Sequence, residues 1–200
     1  MNGQNLNKSF GIKSGLNYSI FKLNSSLEKI SLIESNNKIG FHFGGYLNFK
    51  ILEQINVQTE LLFSNLNSSA LLEEFIITNQ GIGFVESVSQ RFELNVNETG
   101  INIPIIFQYL ISNKFSLETG IEIKYIIQQK LKKEYLTGPF DPLNNELLSF
   151  DYKNTNVNLA FGINYKVSNK LEINSRYYHN LNNKSSIILN NFNLGIEYNL

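Results

Sequence analysis

Apolar and polar residues alternate one by one over most of this chain. The clearest run is 115–127. Phe115, Leu117, Thr119, Ile121, Ile123, Tyr125 and Ile127 form one face, and Ser116, Glu118, Gly120, Glu122 and Lys124 the other. A period of two is that of a β-strand, whose successive side chains leave opposite sides of the pleat. The same pattern predicts strands at 10–21, 39–49, 55–64, 101–109, 155–165, 171–178 and 187–200. The alternation changes phase near 97–100, which predicts a bulge or a break there. Pro104 lacks a backbone donor and predicts a locally irregular pair.

Eight predicted strands are joined by connections of two kinds. Long segments at 22–38, 65–97, 128–152 and 180–186 alternate with tight links at 50–54, 112–114 and 167–170. An antiparallel meander with long loops at one end and tight turns at the other is an all-β, up-and-down barrel. It is the layout of an eight-stranded transmembrane β-barrel of the outer-membrane type. A soluble lipocalin-like barrel, apolar inside and polar outside, shows the same alternation.

The content of the faces separates these two. Lys13, Glu60, Glu118, Glu122, Lys124, Glu172, Arg176 and Glu197 all fall on polar faces, among small residues such as Gly11, Gly15, Gly44, Gly120 and Gly162. Glycine weakens a water-facing strand but makes room inside a narrow barrel for long charged side chains. The apolar faces carry no charge, as lipid requires, since a charge at the bilayer midplane costs a barrel about 2–4 kcal/mol. Aromatic residues mark the strand ends. Phe10, Phe49, Tyr109, Phe115, Tyr165 and Tyr198 lie at the tight-turn end, and Tyr18, Phe63, Tyr125 and Tyr177 at the other. Two such rings are expected of interfacial girdles.

Composition sharpens this picture in a few places. The chain has 200 residues, enough for one domain, here a barrel over 10–200 after a short tail at 1–9. Seventeen basic and seventeen acidic residues leave no basic excess for nucleic acid. Cysteine is absent, so disulfides and thiolate metal sites are excluded. The polar start at 1–4 is not a leader peptide; an exported protein with its leader removed is expected.

The chain resembles the PorT-like outer-membrane β-barrel family common in Bacteroidetes. The similar pieces are FGIKSGLNYS at 10–19, QTELLFS at 58–64, INIPIIFQY at 101–109, FSLETGIEI at 115–123 and NLGIEYNL at 193–200. They span most of the barrel and leave the long connections unmatched. The ending looks like the signal read by the outer-membrane assembly machinery, with Asn193, Gly195, Tyr198 and the terminal Leu200 in the matching places. Many relatives close on Phe, so Leu200 is a departure. The resemblance implies the outer membrane of a Gram-negative cell as the location, and membrane lipid and the assembly machinery as partners. Some relatives are tied to secretion and gliding, a role that is not carried over to this chain.

Candidate chemistry is sparse. His42 and His179 fall on different strands, and neither a G-x-S-x-G nucleophile motif nor a phosphate-binding Walker loop is present. Ser175 and His179 lack an acidic companion, so no catalytic residue, metal or cofactor is expected. The eight charged lumen residues predict an interior of ion pairs. Acids outnumber bases, so His42, Tyr46 and Tyr178 are expected to donate hydrogen bonds to the surplus carboxylates. A closed barrel of this kind is expected to serve as a structural or binding protein whose extracellular loops meet an extracellular or secretion-complex partner. A small-barrel enzyme or a conduit for hydrophobic solutes is the alternative.

Overall fold

The computed structural model describes the backbone of residues 8–23, 30–79, 85–137, 154–182 and 187–200, and the side chains of all these except 75–79, 85–88 and 137. The expected N-terminal tail lies mostly outside the described residues. So do residues 138–152 of the 128–152 connection.

The alternating segments form strands β1 (Lys8–Leu23), β2 (Ile30–Asn37), β3 (Ile39–Leu52), β4 (Ile55–Asn79), β5 (Val85–Leu110), β6 (Phe115–Thr137), β7 (Thr155–Lys166), β8 (Leu171–Asn180) and β9 (Ile187–Asn199). All pairings are antiparallel. β1 pairs with β3 on one side and β9 on the other, and β4 pairs with both β3 and β5, so the sheet closes on itself. β2 and β3 run along the same edge of β4, one after the other: Asn37 opposes Ser68, and Phe41 opposes Asn65. They fill one place in the wall, interrupted at Lys38. The barrel is therefore eight strands around, drawn from nine segments.

Alternation assigns each residue to a side. On the outside, Phe10, Ile12, Leu16, Phe43, Leu61, Phe107, Ile121, Phe161 and Leu194 are all exposed. A water-soluble surface does not carry so continuous an apolar belt. On the inside, Lys13, Glu60, Glu118, Glu122, Lys124, Arg176 and Glu197 are buried.

Pro104 has its expected effect. It pairs with Glu122 on β6, but the β4–β5 ladder skips from Thr59↔Ile105 to Leu62↔Asn102, on the side where a donor is missing.

The strands are unequal in length. β4, β5 and β6 run 25, 26 and 23 residues, against 12 and 10 for β7 and β8. About 9–11 tilted residues suffice to cross a bilayer. The surplus projects beyond the belt at the end away from the tight turns and corrects the loop reading of 65–97. Residues 65–79 and 85–97 are strand, as are 30–37 and 128–137. They stay in the sheet because their inward side chains bury one another. Leu66, Ala70 and Leu72 of β4 and Phe92, Leu94 and Val96 of β5 pack with Phe21, Ile30, Ile187 and Leu189.

The irregularity expected at 97–100 is present as a slip of the β5–β6 ladder between Thr99 and Gly100, but it is not on β5 itself. On β5 the inward residues run without a slip from Phe92 through Glu98 to Asn102 and Gln108. The hydrophobic phase reverses because the inward face changes from polar below Glu98 to apolar above it. The extra residue sits on the neighbouring strand. β6 slips opposite Thr99 and Gly100, with Ile127 left out of the ladder. That slip turns Lys130, Lys132 and Glu134 outward and Lys133 and Tyr135 inward.

Candidate functional site

The lumen is built from the inward residues of all eight wall positions. At its centre is Arg176 of β8, with room to cross because its ladder partner is Gly162. A Cβ at Gly162 would stand 2.6 Å from Arg176 Cγ. The Arg176 guanidinium donates through Nη1 to Glu60 Oε1 at 2.5 Å and through Nη2 to Glu118 Oε1 at 2.9 Å. Its Nε donates to the second oxygen of Glu118, so that pair is bidentate. Glu197 Oε1 lies 3.5 Å from Nη2. Lys13 Nζ stands 3.0 Å from both Glu60 Oε1 and Glu197 Oε1. Five charges from β1, β4, β6, β8 and β9 thus meet in one cluster, all of them buried.

Three other charged residues assigned to the lumen lie outside that cluster. Lys124 pairs with Glu98, an acid that the sequence reading left out because it borders the segment taken as a loop. The signal was present: Glu98 continues the inward even-numbered series of β5. Glu122 takes hydrogen bonds from Asn102 at 2.9 Å and Asn158 at 2.7 Å. Glu172, near the tight-turn end, accepts from Asn164 at 2.5 Å.

The expected donors to the surplus acids are not the ones used. Tyr46 Oη sits over Gly11, where a Cβ would come within 2.6 Å of it, and donates to Asn199 at 2.8 Å. His42 Nδ1 is 2.7 Å from Asn17 Oδ1. Tyr178 packs against Ile106 and Ala160. Amides serve the carboxylates instead: Gln58 donates to Glu60 and Glu197, Gln108 to Glu118, and Asn174 to Glu197.

The proposed girdle residues sit where the strands end. Phe10, Tyr109, Tyr165 and Tyr198 are exposed at the tight-turn end, and Phe115 opposes Tyr165 across the β6–β7 ladder. Lys8 lies 5.9 Å from the Phe49 ring centre and Lys170 5.7 Å from that of Tyr198. In the closing strand Asn193 and Gly195 face in while Tyr198 and Leu200 are exposed, and Leu200 N donates to Phe10 O at 3.1 Å. Ser175 and His179 belong to the outward series of β8, and among the described residues no group of three or more His, Cys, Asp or Glu could hold a metal.

An outer membrane protein beta-barrel domain matches residues 2–186 of the sequence. The chain belongs to this family. Its fold is similar to that of several solved outer-membrane barrels. The attachment invasion locus protein Ail of Yersinia pestis is 10% identical, with 96% of this chain and 98% of that chain covered and a TM-score of 0.43. Neisserial surface protein A is 9% identical over 96% and 98%, with a TM-score of 0.48. OprG of Pseudomonas aeruginosa is 11% identical over 96% and 95%, with a TM-score of 0.41. No curated protein matches the sequence.

Membership makes the exposed apolar belt a lipid contact and places the protein in the outer membrane. In such barrels the short turns face the periplasm and the long connections the outside. The extensions of β4, β5 and β6, with β2 beside them, form a second tier beyond the belt, the outer tier, at the end away from the tight turns.

Proposed function

We propose that this protein is a closed, non-conducting barrel that acts as a binding or structural element through its outer tier and the connections that the tier carries. One observation carries the reading: the lumen is filled at two heights by unlike materials. Arg176, Lys13, Glu60, Glu118 and Glu197 cross it at the level of the membrane. Phe21, Leu72, Phe92 and Leu94 cross it above. Water that entered from outside would meet the apolar layer first, and an ion passing that layer would have to break a buried, bidentate ion pair. An eight-stranded barrel leaves no further space around such side chains.

The motifs quoted for the PorT-like resemblance support placing the protein in that branch of the family. The outer tier offers what a binding role needs, a sheet stiffened by its own core with charged side chains such as Arg91, Glu93, Lys130 and Lys132 on its outward face. The test is conductance in planar bilayers. Purified protein should give no steady single-channel current, and Arg176→Ala combined with Phe92→Ala should open one. Regular current steps from the unaltered protein would end the closed-barrel reading.

A further inference from the structure

The tight-turn end of the lumen is not filled. Below the charge cluster lies a cavity of about 380 Å³ inside the barrel mouth. Seven of its fifteen lining residues are Asn or Gln and three are Ser, so hydrogen-bonding groups line it beside the apolar surface of Leu110 and Phe115. Its inner end is tied to the charge cluster: Asn48 donates to Gln58 and Gln108, and Gln108 donates to Glu118. Gln108, Ser116 and Asn164 are its buried part, and Ser112, Asn113, Lys114 and Asn169 stand exposed around the rim.

Two features give the cavity polarity. Lys166 and Glu172 stand opposite each other in the β7–β8 ladder and both line the cavity, yet they form no ion pair. Glu172 is held to the wall by Asn164 Nδ2, and Asn164 Oδ1 is left as a buried acceptor without a partner among the described residues. Lys166, with Lys114 beside it at the mouth, makes no ion pair among the described residues either. A simple anion would suit the lysines but would meet the Glu172 carboxylate. A neutral sugar would leave both charges unanswered.

The geometry points to a periplasmic binding site for a small zwitterion of short-peptide type. The ammonium of the ligand lies against Glu172, its carboxylate against Lys166 and Lys114, and its amide against the Asn and Gln wall. The volume suits a ligand of dipeptide size, at the low end of the roughly 300–1,000 Å³ of small-molecule sites. This inference concerns the periplasmic end and stands apart from the role of the outer tier.

The test is calorimetric titration of the full chain, refolded into lipid nanodiscs, with alanyl-alanine. Its N-acetylated form, its C-terminal amide and N-acetylglucosamine are the comparators. Alanyl-alanine should bind, and blocking either end should weaken binding roughly tenfold, the loss of one charge-assisted contact. Glu172→Gln should remove the preference for the free amino end and leave that for the carboxylate. Lys166→Gln should do the reverse. Both sites are at the barrel mouth, and heat-dependent gel mobility verifies that each variant is folded. No binding of alanyl-alanine by folded protein would overturn the site, as would equal binding of the blocked forms or tighter binding of N-acetylglucosamine.

Discussion

The membrane tier and the outer tier are made from the same strands and are opposites in cross-section. On β4, Glu60 and Ser64 face in and Leu61 faces out; a few residues on, Leu66 and Leu72 face in while Asn67 and Glu73 are on the outward series. β5 reverses between Glu98 and Val96 in the same way. The β4–β5 ladder carries through the change in a single register. What changes is the medium outside the wall. Lipid accepts hydrocarbon side chains at no cost, so in the membrane the polar residues are the ones that must find partners inside. Water reverses the preference, and the apolar residues withdraw to form an ordinary buried core. One tier is held by specific pairs, the other by packing.

That contrast predicts different failures. The largest effects come from the two interiors. Phe92 is buried in the outer core, 6.0 Å from the Tyr135 ring and with Lys133 Nζ 4.0 Å from its centre. Phe92→Ala should cost about 3–5 kcal/mol. The cost should fall on the outer tier, visible as faster proteolysis there with the compact gel mobility of the barrel retained. Collapse of both together would show the tiers to be one cooperative unit.

Arg176→Met should cost a similar amount, about 3–5 kcal/mol, because it leaves Glu60, Glu118 and Glu197 with Lys13 alone. Here the whole barrel should fail, read as a lower urea midpoint for unfolding in detergent. Adding Glu118→Gln should recover part of the loss. No recovery would mean that Arg176 acts by filling space rather than by pairing.

The outer face gives the next contrast. Ile121→Arg places a charge in the lipid belt and should destabilise the barrel by about 2–4 kcal/mol. Leu71→Arg makes the same change on the outward face of the outer tier, where its ladder neighbours are Glu34 and Glu93. It should be neutral within about 0.5 kcal/mol. Equal costs at both positions, measured by urea titration, would mean that the belt extends further up the wall than the polarity change marks. The smallest effect belongs to Arg91–Glu73, 3.2 Å apart with the Arg91 side chain largely exposed. Glu73→Gln should move the same midpoint by no more than about 0.5 kcal/mol.

How legible each tier was in the sequence follows from the same contrast. The runs 101–109 and 115–127 could be read directly because an apolar face without charges, opposite one with Glu118, Glu122 and Lys124, fits few settings. The outer tier obeys the same period of two, but Leu66, Leu72, Phe92 and Leu94 are spaced among Asn, Ser and Glu with the opposite phase. Read as a continuation of a lipid-facing strand, that phase looks like a break. Glu98 was lost at this seam, and the slip at Ile127 is visible only in the register of β6 against β5.

The lumen shows where local information ends. Alternation put eight charged residues on inward faces but carried no word on which would meet. Arg176 and Glu60 are separated by 116 positions in the chain and touch because the barrel closes. The sequence by itself determined the strands of the membrane belt, the side to which their residues point and the choice of lipid for that belt, since period and charge content are properties of neighbouring residues. Only the tertiary structure decided that the wall continues as strand above the membrane, that amides rather than His42, Tyr46 and Tyr178 serve the carboxylates, and that a polar cavity remains at the periplasmic mouth. Those outcomes depend on distances across a closed ring, and the length, height and register of strands on its far side set them.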